Sequence, residues 1–324
     1  MILAIGPTDE AVQGRLEAYG PYLQVDVEDR DAIVRHLPGA VAIAARGTAV
    51  IDAARIDAAP RLQVIGRSGV GVDCVDLQAA TSRGIPVVIT PNAGTNAVAE
   101  GAMAMILHLV KRLGRFTELV RGGDWARREE LPPGDLDGES LGVVGYGRIG
   151  RRLAELAVVL GMEVLVHDPY ADPDTVDAEI TLTDLPELLA SADIVSLHAP
   201  LTAETEGLIG RHALEAVKPG AVLVNCARGG LLDLDAAHDA LIEGRLSGIG
   251  LDVFAPEPPE HHPLFDHPDV VLTPHVMGLS RRARQRVFAE MADGMAEVLA
   301  GRRAPYVANP EVYLQPAPSA EAQR

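Results

Sequence analysis

The sequence predicts an α/β protein with two doubly wound parallel sheets. Short apolar runs of strand length alternate with helical patterns along the chain, which is typical of parallel sheets covered by helices. Glycine, proline and aspartate separate these runs, as at Gly39 and Pro91. One separating turn, Gly145 to Gly150, has the glycine spacing of a nucleotide-binding loop.

The predicted strands fall into two series. The first series contains four strands, at residues 1–5, 41–45, 64–66 and 87–89. The second contains six, at residues 141–144, 163–166, 194–197, 221–224, 248–251 and 270–272. Six strands around a single glycine turn fit a complete doubly wound nucleotide domain.

Two long helical patterns connect these series. A pattern rich in Ala, Met and Leu at residues 98–112 predicts a buried core helix that also joins the domains. A second pattern, Arg281–Leu299, is expected to return the chain to the first domain. The predicted boundaries are therefore 1–98 with 281–324 for one domain and 99–280 for the other.

The glycine turn indicates dinucleotide binding. Gly145, Gly147 and Gly150 stand in G-x-G-x-x-G spacing directly after an apolar strand, and a helical pattern at 151–160 follows. Gly145 allows a tight turn, Gly147 lets a pyrophosphate approach the backbone, and Gly150 brings the helix close to the sheet. Asp168 ends the next strand, where an acidic side chain would hold a ribose 2′-OH and repel a 2′-phosphate. The pattern therefore favours NAD over NADP.

Composition and charge exclude several classes of function. The formal net charge of −18 argues against nucleic-acid binding, and no apolar stretch is long enough to predict a membrane span. Two cysteines, Cys74 and Cys226, cannot form a disulfide framework, so a cytoplasmic location is expected. Because NAD is an anion, its site must be a locally basic pocket in an acidic protein.

Three consecutive predicted strands end in residues suited to catalysis. Arg228 follows the strand at 221–224, Asp252 and Glu257 follow the strand at 248–251, and His275 follows the strand at 270–272. Ligands of open α/β sheets bind at such carboxyl ends. A guanidinium that anchors a carboxylate, an imidazole that carries a proton and a carboxylate that tunes the imidazole would serve hydride-transfer chemistry.

Taken together and in this order, these motifs resemble the D-isomer-specific 2-hydroxyacid dehydrogenase family. Besides the glycine turn, the matching motifs are LHAPLT at 197–202, NCARGG at 225–230, LDVF at 251–254 and TPH at 273–275. Three earlier segments are similar to the D-3-phosphoglycerate dehydrogenase branch: ARGT at 45–48, VIGRSGVGVD at 64–73 and PNAGTNAVAE at 91–100. Since the sequence ends soon after the return helix, no regulatory C-terminal domain is expected.

The resemblance implies both a fold and a set of residue roles. The fold is a Rossmann NAD-binding domain inserted into a discontinuous, flavodoxin-like substrate-binding domain. Arg228 would bind the substrate carboxylate and the C2 oxygen, His275 would be the acid/base, and Glu257 would hydrogen-bond His275. Besides the three glycines and Asp168, the implied cofactor-binding residues are Arg148, Ile149, His198, Thr202, Cys226, Ala227, Asp252 and Gly278.

The favoured substrate pair is 3-phosphoglycerate and 3-phosphohydroxypyruvate. The turn at Ser68, Gly69 and Val70 offers backbone N–H groups to a carboxylate, and we expect Arg46 and Arg67 to hold a distal phosphate. An unphosphorylated acid such as glyoxylate or hydroxypyruvate, or a more specialised 2-keto acid, is the alternative substrate.

Four further expectations concern assembly, metals, two arginines and an alternative function. The family resemblance implies a homodimer that pairs through the NAD-binding domain. No metal site is expected, because His261, His262 and His267 are irregularly spaced and the chemistry needs no metal. Arg281 and Arg282 would either approach the active site or only begin a helix. The same fold also serves as an NAD-sensing corepressor module, which is the alternative from a non-enzyme class.

Overall fold

The fold was analysed in a computed structural model, which describes residues 1–47 and 49–314. Thr48, the last residue of the ARGT motif, and the end of the predicted 281–324 segment lie outside the described residues. The chain divides into two compact units, Met1–Gly94 together with the segment that begins at Arg281, and Thr95–Ser280.

The strands are numbered β1 to β12 in chain order. They are β1 Ile2–Ile5, β2 Tyr22–Val25, β3 Ala42–Ala45, β4 Val64–Arg67, β5 Val87–Val88, β6 Ser140–Val144, β7 Glu163–His167, β8 Ile180–Leu182, β9 Ile194–Leu197, β10 Ala221–Asn225, β11 Leu246–Leu251 and β12 Val270–Leu272.

The α-helices are numbered in the same way. They are α1 Glu10–Leu16, α2 Arg30–His36, α3 Ala53–Asp57, α4 Leu77–Ser82, α5 Thr95–Val110, α6 Leu113–Gly122, α7 Arg148–Val159, α8 Leu185–Ser191, α9 Arg211–Ala216, α10 Leu234–Ile242 and α11 Arg281–Leu299.

Both sheets are entirely parallel, which confirms the predicted fold class. The first unit has the strand order β2-β1-β3-β4-β5, the order of flavodoxin-like sheets. The second has the order β12-β11-β10-β9-β6-β7-β8, the dinucleotide-binding order extended by a seventh strand. Apolar side chains are buried on both faces of each sheet. In β1, for example, Leu3 and Ile5 face one layer of the core, and Ile2 and Ala4 face the other.

The differences from the sequence-based prediction have local causes. The pattern analysis missed β2 and β8, which are edge strands whose side chains are mostly half-buried or exposed and therefore lack a continuous apolar run. Helix α5 begins at Thr95, so the predicted domain boundary at 98/99 falls inside this helix and the compact units separate at 94/95 instead. Helix α7 begins at Arg148 rather than at residue 151, because the glycine turn itself forms the first helical turn.

Aspartates begin many of the helices. The side chains of Asp9, Asp29, Asp52 and Asp76 each accept a hydrogen bond from the N–H three residues later, at the start of α1, α2, α3 and α4. Asp184 and Asp233 do the same for α8 and α10. Part of the acidic excess of the chain is therefore used to cap helices, where the helix dipole favours negative charge. Within the described residues, no helix has both the length and the hydropathy needed to cross a membrane.

Asn309 joins the end of the described chain to the first sheet. Its side chain is fully buried; Oδ1 accepts a hydrogen bond from the N–H of Val87 at 2.8 Å, and Nδ2 donates to Ile85 O and to Thr81 Oγ1, each at 3.0 Å. One amide thus satisfies backbone groups in β5 and just before it, from more than 200 residues away in the sequence.

We expect Asn309→Ala to destabilise the protein by about 2–4 kcal/mol, because it leaves buried backbone groups without partners at about 1–3 kcal/mol each. Urea unfolding would measure the change. The matched control is Asn92→Ala, which removes one exposed hydrogen bond to Glu290 and should change stability by about 0.5 kcal/mol or less. Equal effects of the two substitutions would contradict this role of Asn309.

Candidate active site

Three loops at one edge of the second sheet carry the predicted catalytic residues. Strands β10, β11 and β12 are direct neighbours, and their last residues are in register: Asn225 is opposite Leu251, and Leu251 is opposite Leu272. Arg228, Glu257 and His275 lie in the loops that leave these three strand ends. Parallel pairing therefore places the three loops side by side.

His275 and Glu257 form a hydrogen-bonded pair. His275 Nδ1 lies 2.8 Å from Glu257 Oε2, and Glu257 Oε1 accepts a hydrogen bond from the N–H of Phe254 at 3.0 Å. Both carboxylate oxygens are thus engaged, so the carboxylate is held in one orientation. A carboxylate at Nδ1 favours the tautomer with the proton on that nitrogen, which leaves Nε2 as the atom that can give or take a proton. The His275 side chain is 52% exposed in this chain and is therefore accessible to a substrate.

The turn that carries His275 is held by Asp252. The Asp252 side chain is 2% exposed. Its Oδ1 accepts hydrogen bonds from Thr273 Oγ1 at 2.5 Å and from Val276 N at 2.9 Å, and its Oδ2 accepts one from Met277 N at 3.1 Å. The carbonyl oxygen of Asp252 accepts a further bond from His275 N at 2.8 Å. His275 has a φ of 52°, a left-handed conformation that a non-glycine residue adopts only when its surroundings impose it.

The loop that carries Arg228 depends on two residues that the sequence analysis did not select. Asn225 is 1% exposed; its Oδ1 accepts a bond from Ala227 N at 3.0 Å, and its Nδ2 donates to Arg228 O at 2.9 Å. A Cβ on Gly229 would overlap the backbone of Phe254, so only glycine lets this loop pack against the loop that carries Glu257. An amide side chain at the end of a buried strand is the sequence signal that would have identified Asn225.

The glycine turn fits a dinucleotide pyrophosphate. Gly145 has a φ of 97°, and a Cβ there would overlap the backbone at Ala199; a Cβ on Gly150 would overlap the carbonyl of Gly145. Gly147, in contrast, has no atom near its Cβ position, so space is open at the start of α7. No side chain caps this helix, and its first N–H groups, those of Arg148 and Ile149 included, remain suited to an anion.

Asp168 stands beside the same turn. Its Oδ2 accepts a hydrogen bond from Tyr146 N at 2.7 Å and its Oδ1 accepts one from Tyr170 N at 2.9 Å. These bonds hold the carboxylate at the end of β7 while each oxygen keeps a lone pair for a further donor, such as a ribose hydroxyl. The position and the charge of Asp168 fit a ribose and disfavour a phosphorylated one.

His198 is a neutral histidine at the end of β9. Its backbone N–H donates to Val144 O at 2.7 Å, and its Nε2 lies 2.8 Å from Ser196 Oγ. Burial lowers the pKa of His198 to about 4, so the imidazole carries no charge at neutral pH. Its Nδ1 is buried and has no hydrogen-bond partner in the described part of the chain. An unsatisfied ring nitrogen at a strand end that faces the glycine turn is consistent with the predicted cofactor role.

The remaining predicted cofactor residues lie in the loops already described or next to them. Cys226 and Ala227 are buried in the Arg228 loop, Gly278 lies in the turn that follows His275, and Thr202 is exposed in a turn closed by Thr205. For all four residues, and for Asp252, contact with a cofactor stays a prediction. Burial, reinforced by the Asp252 charge, raises the pKa of the Cys226 thiol to about 12.

The predicted substrate residues lie in the first unit, around the ends of β3 and β4. The Arg67 side chain is 8% exposed, and its guanidinium donates to Gly71 O at 3.2 Å and to Gly47 O at 2.9 Å. Arg67 thereby braces the loop formed by Ser68, Gly69 and Val70. The N–H groups of Val70 and Gly71 have no partner among residues 1–47 and 49–314, which leaves two adjacent donors for an anion.

Comparison with known proteins identifies a family and several similar proteins. The family description "D-isomer specific 2-hydroxyacid dehydrogenase, NAD binding domain" matches residues 103–277. The chain is 38% identical to a D-3-phosphoglycerate dehydrogenase of Mycobacterium tuberculosis over 93% of its own length, but it spans only 58% of that relative. It is 34% identical to a hydroxypyruvate reductase of Thermotoga maritima, covering 82% of this chain and 87% of the relative. The structure of a D-lactate dehydrogenase from Aquifex aeolicus with NAD and lactic acid superposes with a TM-score of 0.84 at 30% identity, over 93% of this chain and 96% of that one.

The buried position of Cys226 leads to a test of thiol reactivity. A thiol with a pKa of about 12 is a thiolate in about one molecule in ten thousand at pH 8, so Cys226 should not react. We expect iodoacetamide at pH 8 to modify the native protein at Cys74 alone and the unfolded protein at both cysteines, as read by mass spectrometry. The Cys74→Ser variant is the control and should remain unlabelled until it is unfolded. Rapid labelling of native Cys226 would contradict the raised pKa.

Proposed function

This chain belongs to the D-isomer-specific 2-hydroxyacid dehydrogenase family, and from that premise we propose that it interconverts a D-2-hydroxy acid and its 2-keto acid with NAD as cofactor. The observation that carries the proposal is the His275–Glu257 pair, with Nδ1 2.8 Å from the carboxylate, in loops adjacent to that of Arg228 and in the same sheet as the glycine turn. These residues make up an acid/base pair, a carboxylate anchor and a dinucleotide-binding turn.

NAD would be held by the glycine turn, by the first turn of α7 and by Asp168. When bound, it exchanges a hydride with C2 of the substrate. The imidazole of His198 is neutral and the thiol of Cys226 is buried, so neither side chain adds a charge to its loop. The uncharged carboxamide of NAD would therefore be tolerated beside them.

His275 is the residue we assign to proton transfer. For reduction of a keto acid, its imidazolium donates the Nε2 proton to the C2 oxygen; for oxidation, the neutral imidazole takes that proton back. Because the Glu257 carboxylate engages Nδ1, Nε2 is the ring nitrogen left for the substrate. Asp252 and its three donors keep the imidazole on the turn from which it can act.

Arg228 is the residue we assign to the substrate carboxylate. Its planar guanidinium can bind a carboxylate through two parallel hydrogen bonds and can also polarise the C2 oxygen. Asn225 and Gly229 set the path of the backbone on either side of Arg228. In the first unit, the N–H groups of Val70 and Gly71, which have no partner among the described residues, are proposed as donors to an anion.

The proposed substrate pair is 3-phosphoglycerate and 3-phosphohydroxypyruvate. The 38% identity to a D-3-phosphoglycerate dehydrogenase and the presence of Arg46 and Arg67 support this choice. The two arginines differ in their contacts: Arg67 braces its loop, whereas the guanidinium of Arg46 makes one hydrogen bond within the described residues, to Pro7 O. Hydroxypyruvate is the alternative substrate, supported by the similarity to a hydroxypyruvate reductase.

The protein is proposed to be cytoplasmic and to form a homodimer. Cys74 and Cys226 are free thiols, which a reducing compartment would preserve. In the second unit, α6 and the following turn bury no residue of their own, and Leu113, Val120 and Trp125 are 51%, 61% and 65% exposed. Such an exposed apolar surface on the NAD-binding unit is suited to pairing with a second copy.

The proposed function is tested by NADH oxidation at 340 nm with purified protein and five keto acids. The substrates are 3-phosphohydroxypyruvate, hydroxypyruvate, glyoxylate, pyruvate and 2-oxoglutarate. We expect turnover, with the highest kcat/KM for the phosphorylated acid. His275→Ala should lose about 10²–10⁴-fold in kcat while it still binds NADH, because general acid catalysis contributes a factor of this size. Near-normal turnover by His275→Ala would refute the assignment of His275 to proton transfer. No turnover of any of the five acids by the wild type would refute the proposed substrates and would favour a more specialised 2-keto acid or the NAD-sensing module.

The dimer proposal is tested by sedimentation velocity over a range of protein concentrations. We expect the wild type to sediment as a dimer and Trp125→Asp to weaken association by at least about 30-fold, the effect of losing one central apolar anchor. Val159→Asp is the matched control, since Val159 is 84% exposed on α7, away from the α6 surface in sequence. A monomeric wild type, or equal weakening by both substitutions, would refute this interface.

A further inference from the structure

The turn that carries His275 also packs against helix α5. Met277, two residues after His275, places its side chain against Gly101, which is buried in this helix. A Cβ built on Gly101 would overlap Sδ of Met277 and would lie only 2.8 and 2.9 Å from its Cγ and Cβ. The neighbouring Gly278 approaches the same helix one turn earlier, since a Cβ there would lie 3.6 Å from Cγ2 of Val98. The Met277 side chain therefore fills the space that a side chain at position 101 would occupy.

This contact gives a physical reason for a glycine inside α5. Gly101 lies in the interior of a helix that runs from Thr95 to Val110. Glycine is the least favourable residue at such a position apart from proline, because it loses the most backbone freedom when the helix forms. Ala99 and Ala102, which are also buried in α5, carry the methyl group that position 101 lacks. The missing Cβ makes a notch in the helix surface, and the notch receives Met277.

The turn after β12 is thus held at two points. The Asp252 carboxylate accepts hydrogen bonds from the N–H groups of Val276 and Met277, at 2.9 and 3.1 Å, and so holds the backbone. The Met277 side chain is held separately, in the Gly101 notch of α5. His275 has a φ of 52°, a conformation that persists only where its surroundings impose it. A shift of Met277 would therefore move the backbone next to His275 and, with it, the imidazole.

We infer that Gly101 and Met277 are positioning residues that hold His275 in place for proton transfer. They act through the turn, by keeping the imidazole within 2.8 Å of the Glu257 carboxylate. Because the position of the imidazole changes the rate only if His275 transfers the proton, the inference rests on the proposed function. A misplacement of about 1 Å, caused by a substitution away from the reacting atoms, can lower a rate about 10²-fold.

The first experiment fills the notch with a single methyl group. Rotation of the Met277 side chain cannot fully relieve the overlap in Gly101→Ala, because Cβ of Met277 is one of the close atoms and moves only with its backbone. We expect kcat for the best keto acid to fall by about 10- to 100-fold, while KM for NADH stays within about twofold.

Gly14→Ala is the matched control for this substitution. Gly14 lies inside α1, and no described atom is within 4 Å of a Cβ built there. The control makes the same chemical change in a helix interior without an overlap, so kcat should stay within about twofold of the wild type. A Gly101→Ala variant with a similarly unchanged kcat would overturn the inference.

The second experiment changes the other partner and remains informative if Gly101→Ala fails to fold. Met277→Ala empties the notch and should lower kcat by at least about fivefold, whereas Met277→Leu refills it with a similar volume and should stay within about twofold of the wild type. In the double variant Gly101→Ala/Met277→Ala, two of the three close atoms are gone, so kcat should exceed that of Gly101→Ala alone. Equal losses in Met277→Ala and Met277→Leu, or a double variant no better than Gly101→Ala, would contradict the role of this contact.

A third measurement separates this inference from the proposed function. Proton–nitrogen correlation spectra report the His275 imidazole without turnover, and His275→Ala identifies its signal. We expect the signal to move in Gly101→Ala and to stay in place in Gly14→Ala. A moved signal in a protein that turns over none of the five acids would support the positioning contact while the proposed substrates fail. Turnover that requires His275, with kcat and the imidazole signal both unchanged in Gly101→Ala, would refute the inference and leave the proposed function in place.

Discussion

The buried carboxylate of Asp252 is the interaction on which the candidate active site depends. A charged side chain that is 2% exposed is unfavourable unless its oxygens are satisfied, and here the donors come from the turn after β12. The same turn contains His275 in a left-handed backbone conformation. The requirement that Asp252 be hydrogen-bonded thus stabilises a strained turn, and the strained turn presents the imidazole to Glu257.

In this strongly acidic chain, many carboxylates are engaged by backbone N–H groups or by arginines. Aspartates begin helices such as α1 and α8, where they satisfy backbone N–H groups, and many other carboxylates pair with arginines at the surface. Two strand ends present donors or a cation instead. The glycine turn offers uncapped N–H groups, and Arg46 directly follows β3 of the first sheet. Local fields at these two sheet edges, rather than the net charge, decide which ligands can bind.

Periodicity and motif spacing predicted much of this arrangement. They located ten of the twelve strands in the described residues and the order of the catalytic loops, whereas the Glu257–His275 pairing was implied by the family resemblance alone. They missed β2 and β8, because edge strands are buried on too little of their surface to show an apolar run. They also missed Asn225 and Gly229, whose importance lies in contacts with backbone atoms that periodicity does not report.

The sequence by itself determined the fold class, the glycine turn with its acidic partner and the three strand ends that carry Arg228, Glu257 and His275. These features depend on local residue order, because strand length, turn chemistry and the parallel connection of strands through helices are local properties. Only the tertiary structure decided that Arg67 braces a loop and that Arg46 shares the Phe288 ring with Arg284, 238 positions away in the numbering. Which of several arginines has spare donors depends on neighbours that packing brings together, and residue order alone does not specify those neighbours.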